Sequence, residues 1–329
     1  MSNLLGKKVL FLAPSFFGYY KNIQDELKRQ GCDVDIILEN FSDTSYLYRF
    51  FYVKNEKLRA KYTQKYYNNR IQKINKNYDY VFVIRGEAIT TGFLTRLRIN
   101  NPDALFIIYQ WDSIKNNKNA LNIMDQFDIK FTFDVDDAKK YGWKYRPLFY
   151  IDGCEDTEDK TIDFAFIGTL YYKRAFLLKK IIEFCKNNNK ILYNYLYSPK
   201  YVYCLHKYIM RDKRYTTIDA SLVKFKSLKN YEVAEKYKKT KILVDYTADD
   251  QTGLTMRTIE SLGFRCKLIT NNKKIMETDI YQFGNIYIYD LDDFDIPKEF
   301  IETEYNDLPK NLNDYYSLTG WVKSIFSDH

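Results

Sequence analysis

Histidine is almost absent from this chain, with only His206 and His329 among 329 residues. A metal centre built on several imidazoles and a Ser-His-Asp relay are both disfavoured on that ground. Cysteine is sparse and scattered. Cys32, Cys154, Cys185, Cys204 and Cys266 include no C-x-x-C pair. They read as reduced, mostly buried thiols of a cytosolic protein rather than as a disulfide framework. No apolar run approaches about 18 residues, and residues 1–20 lack the apolar core of a signal peptide. The expectation is a cytoplasmic chain that does not span a membrane. Acidic residues are scarce in one segment: from Arg49 to Lys76 there are nine basic residues and one acid, Glu56.

What is present suits two ordinary domains. Apolar residues make up 46% and aromatics 18% of the chain, too many for disorder. The 32 tyrosines accompany abundant Lys, Asn and Ile and fit a biased genome. The net charge of +8 admits an anionic partner without specifying one. Short apolar strands alternate with helical stretches throughout. In the first half, strands are expected at 7–14, 33–39, 79–86, 104–112, 129–134 and 144–149, with helices at 19–31, 45–77, 90–101, 117–127 and 136–141. In the second half, strands are expected at 161–168, 190–197, 241–247, 266–271 and 285–290. The helices there fall at 172–188, 199–211, 230–239, 253–263 and 272–278, with a last helix near 313–326.

This alternation predicts an α/β chain of two doubly wound, Rossmann-like domains whose parallel sheets are covered on both faces. The polar stretch 150–160 reads as the linker. The expected division is 1–152, 153–312 and a C-terminal helix, 313–329, packing back on the first domain. Ligands of such sheets bind at the carboxyl ends of the strands, which here would face a cleft.

Two stretches of the second half carry chemistry. In "ADDQTGLT" (248–255) a glycine follows a strand and precedes a helix, so helix-start amides could take a diphosphate. Asp249 and Asp250 would repel an anion unless they face outward or contact a sugar. Simple capping by Thr252 with a packing glycine is the plain alternative. Glu260 lies off the buried stripe of Leu254, Ile259 and Leu262, and seven residues of helix span about 10 Å, the reach from a diphosphate to its ribose. A carboxylate can accept both ribose hydroxyls; an exposed pair with Arg257 is the other reading. In "FIGTLYYKR" (166–174), Gly168 and Thr169 make a tight turn before Lys173 and Arg174. These cations could neutralise a departing nucleoside diphosphate, or simply solvate a basic helix start.

In the first half, Glu87 and Asp112 each follow an apolar strand. Either could act as general base on an acceptor hydroxyl, and Asp112 could instead cap a helix. The strings "DVDD" (134–137) and "DLDD" (290–293) look like metal-binding carboxylate pairs. They sit at strand ends, where aspartates commonly cap and turn, so no metal is expected. The basic, tyrosine-rich segment 45–77 would suit an anionic membrane surface or, equally, a solvated helix face; nucleic acid is the weakest of its partners. A similar mixture recurs in "PKYVYCLHKYIMRDKRY" (199–215), which favours the solvated reading.

Together, "FIGTLYYKRAFLL" and "DQTGLTMRTIESLGFRCKLITNN" resemble the donor domain of GT-B glycosyltransferases. The likeness is to capsule and lipopolysaccharide enzymes and spore-maturation-type proteins. "VIRGEAIT" and "IIYQWDSIKNN" of the first half look like the same group. The resemblance implies a transferase taking a sugar from a nucleotide donor to a hydroxyl of a glycan or lipid-linked acceptor, without a cofactor. It would place the donor diphosphate on Gly168, Thr169, Lys173, Arg174 and the amides of Thr252, Gly253, Leu254 and Thr255, and the ribose on Glu260. Retaining members often carry a second glutamate eight residues before the ribose carboxylate, where this chain has Thr252. A sugar contact from that side falls instead to Asp249, Gln251 or Thr252. The competing expectation is a non-catalytic protein that keeps the GT-B shape and binds nucleotide or carbohydrate.

Overall fold

The computed structural model describes residues 4–15, 18–39, 56–71, 77–151, 159–171, 173–248 and 253–327. The chain divides into two compact units. One is Met1–Leu148 joined by Leu318–His329, and the other is Phe149–Ser317.

The first unit runs β1 (Lys8–Pro14), α1 (Tyr19–Arg29), β2 (Asp33–Glu39), α2 (Glu56–Ile71), β3 (Tyr80–Ile84), α3 (Thr91–Asn100), β4 (Leu105–Gln110), a 3-10 segment (Lys118–Gln126), β5 (Ile129–Thr132), α4 (Val135–Tyr141) and the two-residue β6 (Lys144–Tyr145). Its six strands are all parallel, in the order β2-β1-β3-β4-β5-β6. Strands β1, β3 and β4 are apolar and buried almost throughout, as strands covered on both faces must be. The chain leaves β1 toward β2 on one side and returns to β3 on the other, so the topological switch lies between β1 and β3. Of the basic segment, α2 puts Tyr67 against Phe93 with ring centroids 4.5 Å apart, and Tyr66 donates to the Leu38 carbonyl at 2.8 Å. These two tyrosines serve the core.

The second unit contains β7 (Ile162–Thr169), α5 (Arg174–Asn187), β8 (Leu192–Tyr197), α6 (Lys200–Cys204) continuing as a π-turn over Leu205–Ile209, α7 (Lys213–Thr216), β9 (Val223–Lys224), α8 (Asn230–Lys238), β10 (Thr240–Val244), α9 (Met256–Gly263), β11 (Lys267–Thr270), β12 (Ile286–Ile288), α10 (Lys298–Glu302) and α11 (Lys310–Tyr316). Its parallel strands are ordered β12-β11-β10-β7-β8-β9, with the switch between β7 and β10. Most expected elements are present, generally one to three residues shorter. The strand expected at 144–149, however, keeps two residues, the helices expected at 117–127 and 272–278 are 3-10 (Lys118–Gln126 and Lys273–Glu277), and the helix expected at 199–211 is α only over Lys200–Cys204. The short strand β9 was not expected.

The last expected helix is two. α11 ends at Tyr316, and α12 (Leu318–Ile325) belongs to the first unit. Trp321 on α12 is fully buried, 4.7 Å from the Tyr109 ring and 6.0 Å from Phe82. Arg146 Nε donates to Ser324 Oγ at 2.6 Å and Arg29 Nη2 to Thr319 Oγ1 at 2.7 Å. Aromatic burial with polar ties at the rim fixes this helix on the first unit.

Inside the second unit, Gly263 ends α9 against the Tyr150 ring. A β-carbon there would lie 2.6–2.9 Å from Tyr150 Cδ2, Cγ and Cβ. Tyr150 cannot yield easily: its amide donates to the Tyr316 carbonyl at 2.9 Å and its hydroxyl to the Asn313 carbonyl at 3.0 Å. Gly263→Ala is expected to lower the stability of this unit by about 1–2 kcal/mol, the overpacking cost outweighing alanine's better helix propensity. A urea denaturation series checks this; a stabilised variant would show that Tyr150 moves freely.

Candidate functional site

Each sheet carries a cluster of charged residues where its strands end at the switch point. In the first unit the organiser is Arg85, directly after β3, with φ of 70°. A bulky residue in the left-handed region is strained and must be held by its surroundings. Its amide donates to the Tyr109 carbonyl at 3.0 Å, while its own carbonyl accepts from Gln110 Nε2 at 2.8 Å and Asn117 Nδ2 at 3.0 Å. Gly86 follows, also left-handed, and a β-carbon on it would lie 2.8 Å from Ile123 Cδ1. This turn aims the Arg85 guanidinium at two carboxylates. Nη2 is 2.7 Å from Glu87 Oε2, and Nε is 2.8 Å from Asp112 Oδ2 as a charge contact without hydrogen-bond alignment. The two candidate bases are thus brought to one cation. Burial raises the Asp112 carboxyl above its ordinary value; Arg85 opposes that and Glu87 adds to it.

The sequence reading missed a third carboxylate. Glu39, the last residue of β2, is only 4% exposed and takes backbone hydrogen bonds from Gly86 and Ala88. Burial pushes it up to about 8, against the pull of Arg85 and with the push of Glu87. An acid directly after the apolar run Ile36–Leu38 at the end of "DVDIILE" was the signal available.

In the second unit, Gly168 lies near the end of β7, flanked by two arginines. A β-carbon on it would be 3.6 Å from Arg174 Cδ and 3.6 Å from Arg257 Nη2. Arg174 reaches back from the first residue of α5, and its contacts are long: Nη1 to the Thr169 carbonyl at 3.4 Å and Nη2 to the Tyr246 carbonyl at 3.5 Å. Its Nε is buried with no hydrogen-bond partner. Burial lowers the Arg174 guanidinium and Arg257 lowers it further, while Asp245, Tyr246 and Tyr289 pull the other way. Such a group gains from any anion that reaches it. Lys173, also proposed from sequence, is exposed at the N-cap of α5.

Arg257 overturns one expectation. It does not lie on an exposed face beside Glu260. It is 12% exposed and turned inward, with Nη1 donating to Asp245 Oδ1 at 2.6 Å and Nη2 to the Ile167 carbonyl. Asp245 is fully buried, and its Oδ2 accepts from Thr247 and Thr270 hydroxyls, each at 3.1 Å. Burial disfavours charge on Arg257, yet Tyr237 and Asp245 outweigh it and hold the guanidinium above its ordinary value. Arg257 therefore ties α9 to the ends of β7 and β10. Glu260, half-buried one turn on, lies within electrostatic reach of Arg257 and Tyr237. The hint in sequence was Asp245 itself, an acid directly after the apolar "KILV" that required a buried counter-charge.

The helix start also differs from expectation. α9 begins at Met256, and Thr255 caps it by accepting from the Thr258 amide at 3.2 Å. Gly253 and Leu254 are buried ahead of the cap, so the helix begins three residues later than Gly253. Asp249, Asp250, Gln251 and Thr252 lie outside the described residues. Of the two aspartate strings, Asp134 caps α4 by accepting from the Asp136 and Asp137 amides, and Asp137 accepts from the Ile114 amide at 2.7 Å. Asp290 accepts from the Asp292 amide at 2.9 Å. Among the described residues no three His, Cys, Asp or Glu side chains group as metal ligands. A cavity of about 730 Å3 lined by Met124, Lys130 and Trp143 lies at the amino end of β5, away from the strand-end cluster of the first unit.

Solved structures share this architecture nearly end to end. The trehalose-phosphate synthase of Burkholderia xenovorans, solved with glucose-6-phosphate, matches with a TM-score of 0.63 at 10% identity, covering 97% of this chain and 98% of that one. The chain has the GT-B fold. A UDP-GlcNAc 2-epimerase from Neisseria meningitidis, bound to UDP-GlcNAc, shares that fold at a TM-score of 0.57 and 9% identity over 97% and 98% of the two chains. So does a glycosyltransferase from Rickettsia africae, at 0.50 and 12% identity over 98% and 100%. No protein-family model matches the sequence, and no curated protein does either. No helix among the described residues is long and apolar enough to cross a membrane.

Proposed function

We propose that this GT-B chain is a glycosyltransferase whose second unit binds a nucleotide-sugar and whose first unit presents a hydroxyl acceptor. The observation that carries the reading is Arg174. Its guanidinium is drawn in beside Gly168 at the switch point of the second sheet, with one buried nitrogen unsatisfied and only long contacts for the rest. A diphosphate there would satisfy that nitrogen, and positive charge in place before reaction stabilises the leaving group without reorganisation. The Thr169 turn, Lys173 and the start of α9 add to the same field. Glu260 is the ribose carboxylate, and Asp249 and Gln251 are the sugar contacts. The resident cations take the role that a metal ion serves in other sugar transfers, so no cofactor is assigned.

Asp112 is the favoured general base. Burial raises its carboxyl above the ordinary value, and a raised carboxylate is the stronger proton acceptor, while Glu87 is the more exposed of the two. The acceptor hydroxyl belongs to a glycan or a lipid-linked saccharide of the cell surface.

Calorimetric titration with UDP, GDP, CMP and TDP tests the donor half. One of them is expected to bind, and Arg174→Gln and Glu260→Ala are each expected to weaken it about ten- to a hundred-fold, the loss of a charge-assisted or paired hydrogen bond. Unchanged affinity in both variants would remove the donor assignment. Transfer of the donor's sugar to an acceptor panel then separates catalysis from binding alone.

A further inference from the structure

Three large apolar side chains stand out together at the tip following α6. Tyr208 is 67% exposed, Ile209 75% and Met210 60%. They are held rigidly rather than hanging in a loop. The π-turn carries the helix to Ile209, the Met210 amide donates to the Leu205 carbonyl at 3.0 Å, and Arg211 then turns the chain through a left-handed residue with φ of 50°. The base of this projection is pinned to the unit's core. Tyr203 and Tyr215 are buried, His206 stacks on Tyr215 with centroids 4.7 Å apart, and the Tyr215 hydroxyl donates to the Leu170 carbonyl at 3.1 Å. Leu170 is two residues from Gly168.

The charge around the tip is predominantly positive. Arg211 and Lys213 are exposed and Lys207 is half-buried, while of the two acids nearby Asp219 lies within electrostatic reach of Lys207 and Asp212 is already occupied. It accepts from Arg214 Nε at 2.9 Å, from the Arg214 amide at 3.0 Å, and faces His206 Nδ1 at 3.2 Å; the Arg214 contact holds its carboxyl well below the usual range.

We propose that the Tyr208–Ile209–Met210 tip and its basic surround form a docking surface for an anionic lipid bilayer. Three side chains of this size expose on the order of 350 Å2, less than half of the roughly 800 Å2 that each partner of a standard protein interface contributes. A bilayer requires no shape complement. Ile209 and Met210 enter the acyl boundary, Tyr208 sits at headgroup level, and the cations meet lipid phosphates. The rigid link to Leu170 would hold the Gly168 loop close to the lipid surface. Segment 45–77, for which a membrane surface is one reading, is described only over 56–71 and at 77, and there Tyr66 and Tyr67 are spent on the core, whereas this tip spends nothing.

The proposal extends the transferase reading but is tested apart from it. The full chain is floated with vesicles of phosphatidylcholine alone or mixed with phosphatidylglycerol. Binding is expected only to the anionic vesicles, weakening as salt rises. Ile209→Ser with Met210→Ser, and separately Arg211→Glu with Lys213→Glu, are each expected to weaken it about ten-fold or more. Both pairs should leave the melting temperature and the nucleotide titration unchanged, so failure here does not touch the donor site. Indifference of the wild type to lipid, binding by the variants equal to wild type, or loss of self-association in their place would each overturn the assignment.

Discussion

Arg257→Ala is expected to destabilise the second unit by about 3–5 kcal/mol, because it strips a buried carboxylate of its counter-charge. Asp245 has no exposed surface, and after the substitution its carboxylate would keep the Thr247 and Thr270 hydroxyls as donors and Arg174 only at electrostatic range. Those two hydroxyls soften the loss toward the lower end of that range. The Ile167 carbonyl would also lose its donor, freeing the end of β7 beside Gly168. Chemical denaturation measures the first effect, and the nucleotide titration the second. Adding Asp245→Asn to Arg257→Ala should recover most of the stability, since it removes the orphaned charge. A single variant losing less than about 1 kcal/mol would mean that water or another cation reaches Asp245, and the strut would have to be abandoned.

Glu39→Gln is expected to act in the opposite direction. The folded carboxyl lies at about 8, well above the usual value near 4.5. Between those limits the folded state binds the extra proton, so the wild type loses stability as pH rises from about 5 to 8. The loss is on the order of 3 kcal/mol over that window, since each unit is worth about 1.4 kcal/mol. Glutamine keeps the shape and cannot ionise, so the variant should be nearly flat over the same range and more stable than wild type at pH 8. Thermal melts of both proteins at pH 5, 6.5 and 8 decide it. Parallel pH profiles would show that Glu39 ionises freely in the folded state.

The strand–helix alternation was legible because apolar periodicity is local. The strands within "KKVLFLAP", "DYVFVIRG" and "ALFIIYQWD" name themselves by continuous apolar runs, which the fold buries. The end of the chain was partly legible: an aromatic, apolar helix so far along needed a surface to cover. Its break at Ser317 was not visible, since that break separates two helices serving different units. Gly168 and Arg174 could be found because a glycine turn before a basic helix start is a short-range pattern. The start of α9 was misplaced because Thr252 and Thr255 are equally good caps in sequence, and only the observed Thr255–Thr258 bond distinguishes them.

By itself the sequence determined an α/β chain of two parallel-sheet units with cations and carboxylates at the strand ends, since residue type and spacing act over a few turns. Tertiary structure alone decided which charges meet. Asp245 and Arg257 are twelve residues apart, Arg85 and Asp112 twenty-seven, and Glu39 reaches amides at positions 86 and 88. It also decided that Tyr66 and Tyr67 turn inward while Tyr208, Ile209 and Met210 stay out, although both segments mix tyrosine with lysine. Burial is a property of what packs above a residue, and no local spacing records that.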